Sequence, residues 1–314
     1  MLNKILVFLI CPLLSIPFGD PAMANGYDDA RAGVTELSNG NNAEAIRLLT
    51  RALDSGQIAN GDLGAAHFDR GLAWADSGEY DKAIADYNDA IRFNPHLVDA
   101  YHSRGVAWVK KGEYDKAIAD FNLAIRYNAQ DAESLDGRGV AWLNKGEYDK
   151  AVADFNEAIR LNAHDTVAYF HRGLAGFNQG KFEIAATDFA QKLRLSHDGA
   201  SVILLYLSRA RSGVADSAVQ LAADSNAMDE GKWPAPVIAL LLGKSSPAAV
   251  FEKAADDNAG KQAAQMCEAN FYSGEWSLLE RKMDQARDFF RKAAAQCPTS
   301  SWAAIAAATE IRRM

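Results

Sequence analysis

The sequence predicts an all-α fold of stacked antiparallel helical hairpins, and three observations in its middle third predict it. Three copies of one phrase follow each other from Gly64, with shared cores RGLAWADSGEYDKAIADYNDAIRFNP, RGVAWVKKGEYDKAIADFNLAIRYNA and RGVAWLNKGEYDKAVADFNEAIRLNA. Their period is 34 residues, the spacing from Gly71 to Gly105 and from Gly105 to Gly139, and Ala83, Ala117 and Ala151 keep it without slippage. Within each copy the apolar residues fall at helical spacing in two blocks, separated by a turn at Ser77-Gly78, Lys111-Gly112 and Lys145-Gly146. Finally, small and large residues alternate by slot. Counting Gly64, Val98 and Ala132 as position 1, glycine stands at position 8 and alanine at 20. Trp74, Trp108 and Trp142 stand at 11, and Tyr87, Phe121 and Phe155 at 24. Folding two helices about the turn brings position 8 beside 23 or 24 and 11 beside 20, so the small residues admit close backbone approach. The tryptophans then fill the space beside the position-24 rings. One hairpin cannot bury both of its faces, and the copies must therefore stack.

A 34-residue period with small residues at these slots resembles the tetratricopeptide-repeat (TPR) signature. The resemblance implies a TPR superhelix of stacked antiparallel hairpins closed by a C-terminal capping helix.

Taken in order, residues 1–24 read as a signal peptide. Lys4 supplies the positive end, residues 5–18 an apolar core, and Ala22-Met23-Ala24 a small-x-small site, with cleavage expected after Ala24. The apolar run is shorter than the ~20 residues that span a bilayer. Lipid attachment at Cys11 is opposed by Phe8-Leu9-Ile10, which lacks small residues before the cysteine. The expected product is a periplasmic or secreted protein with no stable membrane insertion. Residues 26–63 form a degenerate first hairpin and loop, with Gly33, Ala45, Leu49 and Ala52 at positions 8, 20, 24 and 27. Residues 64–199 hold four regular repeats. The fourth keeps Gly173, Ala185 and Phe189 but places Gly176 where tryptophan stood and Lys192 where alanine stood, which marks the end of the regular array. Residues 200–266 form irregular hairpins: helices over 201–211 and 215–223, a short apolar helix over 233–242, and one over 248–255 begun by Ser246-Pro247. In 267–314 a final repeat returns with Gly274, Ala286, Phe290, Ala293 and Pro298 at positions 8, 20, 24, 27 and 32, and a terminal helix over 301–313 covers the exposed core.

After removal of the signal segment the chain keeps two cysteines, Cys267 and Cys297, at positions 1 and 31 of the last hairpin. The fold-back that pairs 8 with 23 or 24 brings 1 beside 30 or 31. In an oxidising compartment a disulfide is the natural outcome, with two buried free thiols as the alternative. A second recurring pair is polar. Arg70, Arg104, Arg138 and Arg172 stand at position 7, and Asp86, Asp120, Asp154 and Asp188 at position 23 of the facing helix. Recurrence marks these as structural ion pairs rather than a ligand site.

The 314 residues carry a formal net charge of -8, which argues against a nucleic-acid partner, since phosphate binding needs a basic surface. No catalytic, cofactor-binding or metal-binding motif stands out. There is no G-x-S-x-G elbow, no H-E-x-x-H and no phosphate loop, and Gly137-x-Gly139 lacks the third glycine and preceding strand of a dinucleotide site. The six histidines fall at differing repeat positions rather than at ligand spacing. The expected role is therefore non-enzymatic.

What remains is a surface. In a TPR superhelix the first helix of each hairpin lines the concave side, and the positions that resemble the family's groove are 2, 5, 9, 12 and 13. They give Phe68, Leu72 and Asp76; His102, Val106, Val109 and Lys110; Asp136, Val140, Leu143 and Asn144; and Phe170, Leu174, Phe177 and Asn178. This is an apolar floor with a few polar points, suited to a protein or peptide segment, although positions 9 and 12 also serve to pack one hairpin on the next. TPR domains that grip C-terminal carboxylates use Lys and Asn at 5 and 9. Phe68 and Leu72 stand there, so that activity does not carry over.

Beyond the repeats, the early hairpin with its loop, WPAPVIALLLG at 233–243 and CEANFYSGEW at 267–276 resemble exported bacterial TPR proteins similar to the lipoprotein NlpI. The resemblance implies an adaptor of the bacterial cell envelope that brings a periplasmic protease together with cell-wall hydrolases, often as a homodimer. A reading of different class is a small-ligand receptor or enzyme using residues 201–260.

Overall fold

The computed structural model describes residues 24–226, 228–229, 231–298 and 301–314. The expected signal segment before Ala24, with Cys11, lies outside the described residues. Among the described residues stand seventeen helices and no strand. Contacts divide the chain into two units, one up to Gly137 and one from Arg138.

The first unit holds α1 (Ala24–Ser38), α2 (Asn42–Asp54), α3 (Asn60–Asp76), α4 (Tyr80–Phe93), α5 (Val98–Lys110), α6 (Tyr114–Tyr127) and the start of α7 (Ala132–Asn144). They pair as hairpins α1/α2, α3/α4 and α5/α6. Each first helix ends in a tight reversal that needs a left-handed residue. At the end of α3 this is Gly78, with φ +78°. Its N–H donates to Ala75 O (2.9 Å) and that of Glu79 to Trp74 O (2.9 Å), so the last carbonyls of the helix are satisfied within the turn itself. Inside the hairpin, the position-24 ring lies on the position-8 glycine. A Cβ on Gly71 would stand 2.6 Å from Tyr87 Cε1, closer than an ordinary contact allows, so any larger residue there forces the ring to shift. Trp74 packs against the buried cluster that holds Ala83, Ile84 and Tyr87 and stays half-buried. Lys82, Lys116 and Lys150 hold their ammonium groups 4.4, 4.5 and 4.5 Å over Trp74, Trp108 and Trp142, which gives these helix-start lysines a packing role that their exposure conceals.

The second unit holds the rest of α7, then α8 (Tyr148–Leu161), α9 (Thr166–Gln179), α10 (Phe182–Leu195), α11 (Gly199–Arg211), α12 (Ser217–Asp224), α13 (Ala235–Leu241), α14 (Pro247–Lys253), α15 (Ala259–Leu279), α16 (Met283–Gln296) and α17 (Trp302–Arg313). At its centre lies α11, whose Val202, Ile203, Leu204, Leu205 and Leu207 are all buried. A helix that is apolar on every side belongs inside. The two departures of the fourth repeat now have reasons. Lys192 pairs with Asp198, whose carboxylate also caps α11 by accepting from Ser201 N–H at 3.0 Å. Where tryptophan is replaced by Gly176, the adjoining Phe177 fills the interior between Phe182 and Phe271, with ring centroids at 5.2 and 6.3 Å. The helix that carries Cys267 starts at Ala259, ahead of the expected boundary at 266/267, because Asn258 caps it by accepting from Lys261 N–H at 2.9 Å.

Cys267 and Cys297 are joined as a disulfide with Cα atoms 5.4 Å apart, tying α15 to the residue that follows α16. Replacing Cys297 with serine is expected to cost about 2–4 kcal/mol. The check is the urea midpoint with and without reductant. Reductant should lower the wild-type midpoint and leave that of the Cys297→Ser chain where it is. No helix among the described residues is long and apolar enough to cross a membrane.

Candidate functional site

The recurring Arg and Asp residues meet with both oxygens of the carboxylate engaged. Arg70 donates to Asp86 at 2.8 and 2.7 Å, Arg104 to Asp120 at 2.8 and 2.6 Å, Arg138 to Asp154 at 2.8 and 2.6 Å, and Arg172 to Asp188 at 2.9 and 2.6 Å. Planar guanidinium against carboxylate is the strongest neutralising geometry for a buried acid. Burial works to raise the Asp86 carboxyl, yet the hydrogen bonds from His67 and Arg70 outweigh it and hold the group below its ordinary range. The same arginines reach backwards as well. Arg70 donates to Thr50 (3.1 Å), Arg104 to Asn88 (2.5 Å) and Arg172 to Asn156 (2.7 Å), each at position 25 of the preceding hairpin. The arginine is therefore a brace between repeats, and the polar residue at position 25 is the sequence signal that would have shown it.

His67 Nδ1 lies 3.0 Å from Asp86 Oδ1 and 3.9 Å from Asp89 Oδ2, a trio spaced as metal ligands are. Both Asp86 oxygens already accept from Arg70, so an ion there competes with a guanidinium. The trio reads as an extension of the ion pair.

Within the first unit, Phe68, Leu72, His102, Val106 and Asp136 are half-buried, Asp76 and Lys110 are exposed, and Val109 is buried in the stack. His102 Nδ1 lies 3.0 Å from Ser134 Oγ. Phe68, Leu72 and Val106 thus keep apolar surface in water on the face of the first helices.

The second unit corrects the expectation for the fourth repeat. Val140, Asn144 and Phe170 are half-buried there, whereas Leu174, Phe177 and Asn178 are only 2, 0 and 4% exposed. They cannot serve a partner, because they lie in the interior of the second unit, where the C-terminal helices meet the end of α9. Phe271 of α15 packs on Phe177, and from α17 Arg313 donates to Phe177 O at 2.9 Å and Asn178 O at 2.5 Å. Thr309 of α17 also meets Tyr148 Oη at 2.9 Å. Asn144 spends its amide on Val140 O at 2.8 Å.

Beside this contact lies a buried charge cluster. Arg211 donates to Glu275 Oε2 at 2.9 Å and Glu310 Oε2 at 3.2 Å. Arg313 pairs with Glu310, and both guanidinium groups sit over the Phe182 ring at 4.6 and 5.6 Å. Glu275 stands at position 9, where the regular repeats carry leucine or valine. A charge in an apolar slot was the signal.

Residues 71–112 match a family model described as TPR repeat, and residues 102–166 and 143–201 one described as tetratricopeptide repeat. The chain carries TPR repeats over this stretch. No curated protein sequence matches it. Among solved structures, a tetratricopeptide repeat protein from Parabacteroides merdae is similar with a TM-score of 0.58 at 16% identity, over 87% of this chain and 93% of that one. PilF from Pseudomonas aeruginosa is similar with a TM-score of 0.56 at 15% identity, over 67% and 95%. MamA from Desulfovibrio magneticus RS-1 gives 0.50 at 19% identity, over 58% and 100%. At such identities the likeness is one of fold.

Proposed function

We propose that the protein is a non-enzymatic adaptor of the bacterial cell envelope, exported with cleavage after Ala24, that binds partner proteins on the first-helix face of its first unit. TPR repeats generally mediate contacts between proteins. The observation that carries the reading is that Phe68, Leu72 and Val106 stay only half-buried on one face, whereas Leu174, at the slot of Leu72 and Val106, is sealed in the fourth repeat. The position-9 slot is thus open in the first unit and closed in the fourth repeat, which favours the first unit as the docking face. The envelope setting, a homodimeric state, and a periplasmic protease and cell-wall hydrolases as partners rest on the sequence likeness to NlpI-type proteins.

The test is cross-linking in intact cells followed by identification of what is captured. Leu72→Asp with Val106→Asp is expected to lose the captured protease or hydrolase at a stability cost of about 1–3 kcal/mol, since both side chains are half-buried, and an unchanged helical circular-dichroism signal separates lost binding from lost fold. Equal capture by the double variant would move the binding site elsewhere. Capture of neither partner class by the wild type would end the envelope reading.

A further inference from the structure

Two exposed carboxylates stand on the first-helix face of the first unit. Asp76 ends α3 at position 13, and Asp99 opens α5 at position 2. Among the described residues neither pairs with a lysine or arginine. Burial pushes both carboxyls above their ordinary range. For Asp99, His102 opposes that push and Asp131 adds to it.

The second unit shows what the end of such a helix takes. At the matching end of α9, Arg313 of an added helix donates to the carbonyls of Phe177 and Asn178. The carbonyl end of a helix is the negative end of its dipole, so a guanidinium or ammonium group is favoured there. At the end of α3 the position-13 residue is Asp76 rather than asparagine, which adds a full negative charge to the same place. The corresponding slot of α5 holds Lys110, which repels a cation and leaves the α3 end as the preferred seat.

We infer that the first unit binds a segment with two cationic side chains, one on Asp76 and one on Asp99, flanking an apolar stretch that rests on Phe68, Leu72 and Val106. This rests on the protein-binding reading above and names the chemistry of the partner. Positions 2 and 13 are eleven residues apart along their helices, about 16 Å at 1.5 Å per residue. Adding the ~10 Å between neighbouring helix axes makes the diagonal about 19 Å. An extended chain covers that in roughly five to six residues, so the two cations stand about five apart.

The experiment uses the full chain and a fluorescein-labelled peptide, Gly-Lys-Leu-Val-Ala-Leu-Lys-Gly, with twins carrying Gln or Glu in place of both lysines, read by polarisation. The lysine peptide is expected to bind about tenfold more tightly than the glutamine twin, with the glutamate twin weakest, from two partly screened pairs. Asp76→Asn and Asp99→Asn should each weaken the lysine peptide about threefold and leave the glutamine twin unchanged. Added salt should erase the difference between twins. If the glutamine twin binds as tightly as the lysine peptide and Leu72→Asp abolishes both, the charge assignment falls while the protein-binding reading stands. Absence of binding by the lysine peptide overturns the assignment outright, and the cross-linking test then decides the broader reading on its own.

Discussion

Replacing Arg211 with methionine is expected to destabilise the second unit by about 3–5 kcal/mol at pH 8, and by less at pH 6. Arg211 is the only donor to Glu275 among the described residues, and the other Glu275 oxygen, Oε1, has no hydrogen-bond partner there. Glu310 keeps Arg313. The substitution therefore leaves one carboxylate stranded in the interior, and removes a guanidinium that stacks 4.6 Å over Phe182. The wild-type chain carries a milder form of the same tension. Burial, with Glu310 adding to it and Arg211 and Arg313 opposing it, pushes the Glu275 carboxyl up to about 7.

A carboxyl whose folded value lies above its unfolded one stabilises the fold fully below the unfolded value, and that contribution is lost as pH rises through the folded value. Stability from this group is therefore complete near pH 4.5 and falls away through pH 7, with a slope of at most ~1.4 kcal/mol per pH unit. The second unit should melt at a higher temperature at pH 6 than at pH 8. Glu275→Gln, which keeps an acceptor for Arg211 and cannot ionise, should flatten that slope. A slope of the opposite sign, or one that survives in Glu275→Gln, would remove Glu275 as its source.

The parts of this architecture that are periodic can be read from the sequence, and the parts that are not can be read only from the fold. Gly71 against Tyr87 and Arg104 against Asp120 recur every 34 residues, and each joins two helices separated by one turn. Local geometry then suffices to place them. Cys267 and Cys297 follow from the same fold-back. By contrast, Arg313 reaches Phe177 O and Asn178 O across more than a hundred residues, and no local pattern in α9 announces that its face is taken. At positions 5 and 9, α9 carries the same phenylalanine and leucine as α3, since packing inside a protein and waiting for a partner call for the same side chains. For that reason Leu174 belonged to the expected groove alongside Leu72, and only its burial in the second unit separates them, whereas Phe177 shares position 12 with Val109, which is buried in the stack as well. Around α11, burial on all sides removes the alternation that would date its turns against a neighbour.

Phe155→Ala is expected to cost about 3–5 kcal/mol, and the reason lies as much in Gly139 as in the ring. Phe155 is 0% exposed, with the His171 ring centroid 5.7 Å away. A Cβ on Gly139 would stand 2.5 Å from Phe155 Cε1, 2.8 Å from Cδ1 and 2.9 Å from Cζ, against the ~3.5–4.0 Å of an ordinary carbon contact. Truncating the ring therefore leaves a cavity that faces a bare backbone, with no neighbouring side chain there to slump into it. Filling the notch from the other side is the complementary error. Gly139→Ala gains up to ~1 kcal/mol of helix propensity but overpacks a rigid ring, at a cost of about 1–3 kcal/mol. The pair should compensate: Gly139→Ala combined with Phe155→Leu is expected to cost less than the sum of the two single changes, because the added methyl occupies space the smaller side chain gives up. Gly176 supplies the contrast on a helix of the same kind. A Cβ there would meet its nearest neighbour, Ala185 N, at 3.5 Å, so Gly176→Ala should be neutral or stabilising by up to ~1 kcal/mol. Urea midpoints of the five variants, each against the wild type, decide it. Strict additivity of the Gly139 and Phe155 changes, or a loss at Gly176 as large as at Gly139, would show that the ring and the glycine do not form the interlocking pair that each hairpin is built on.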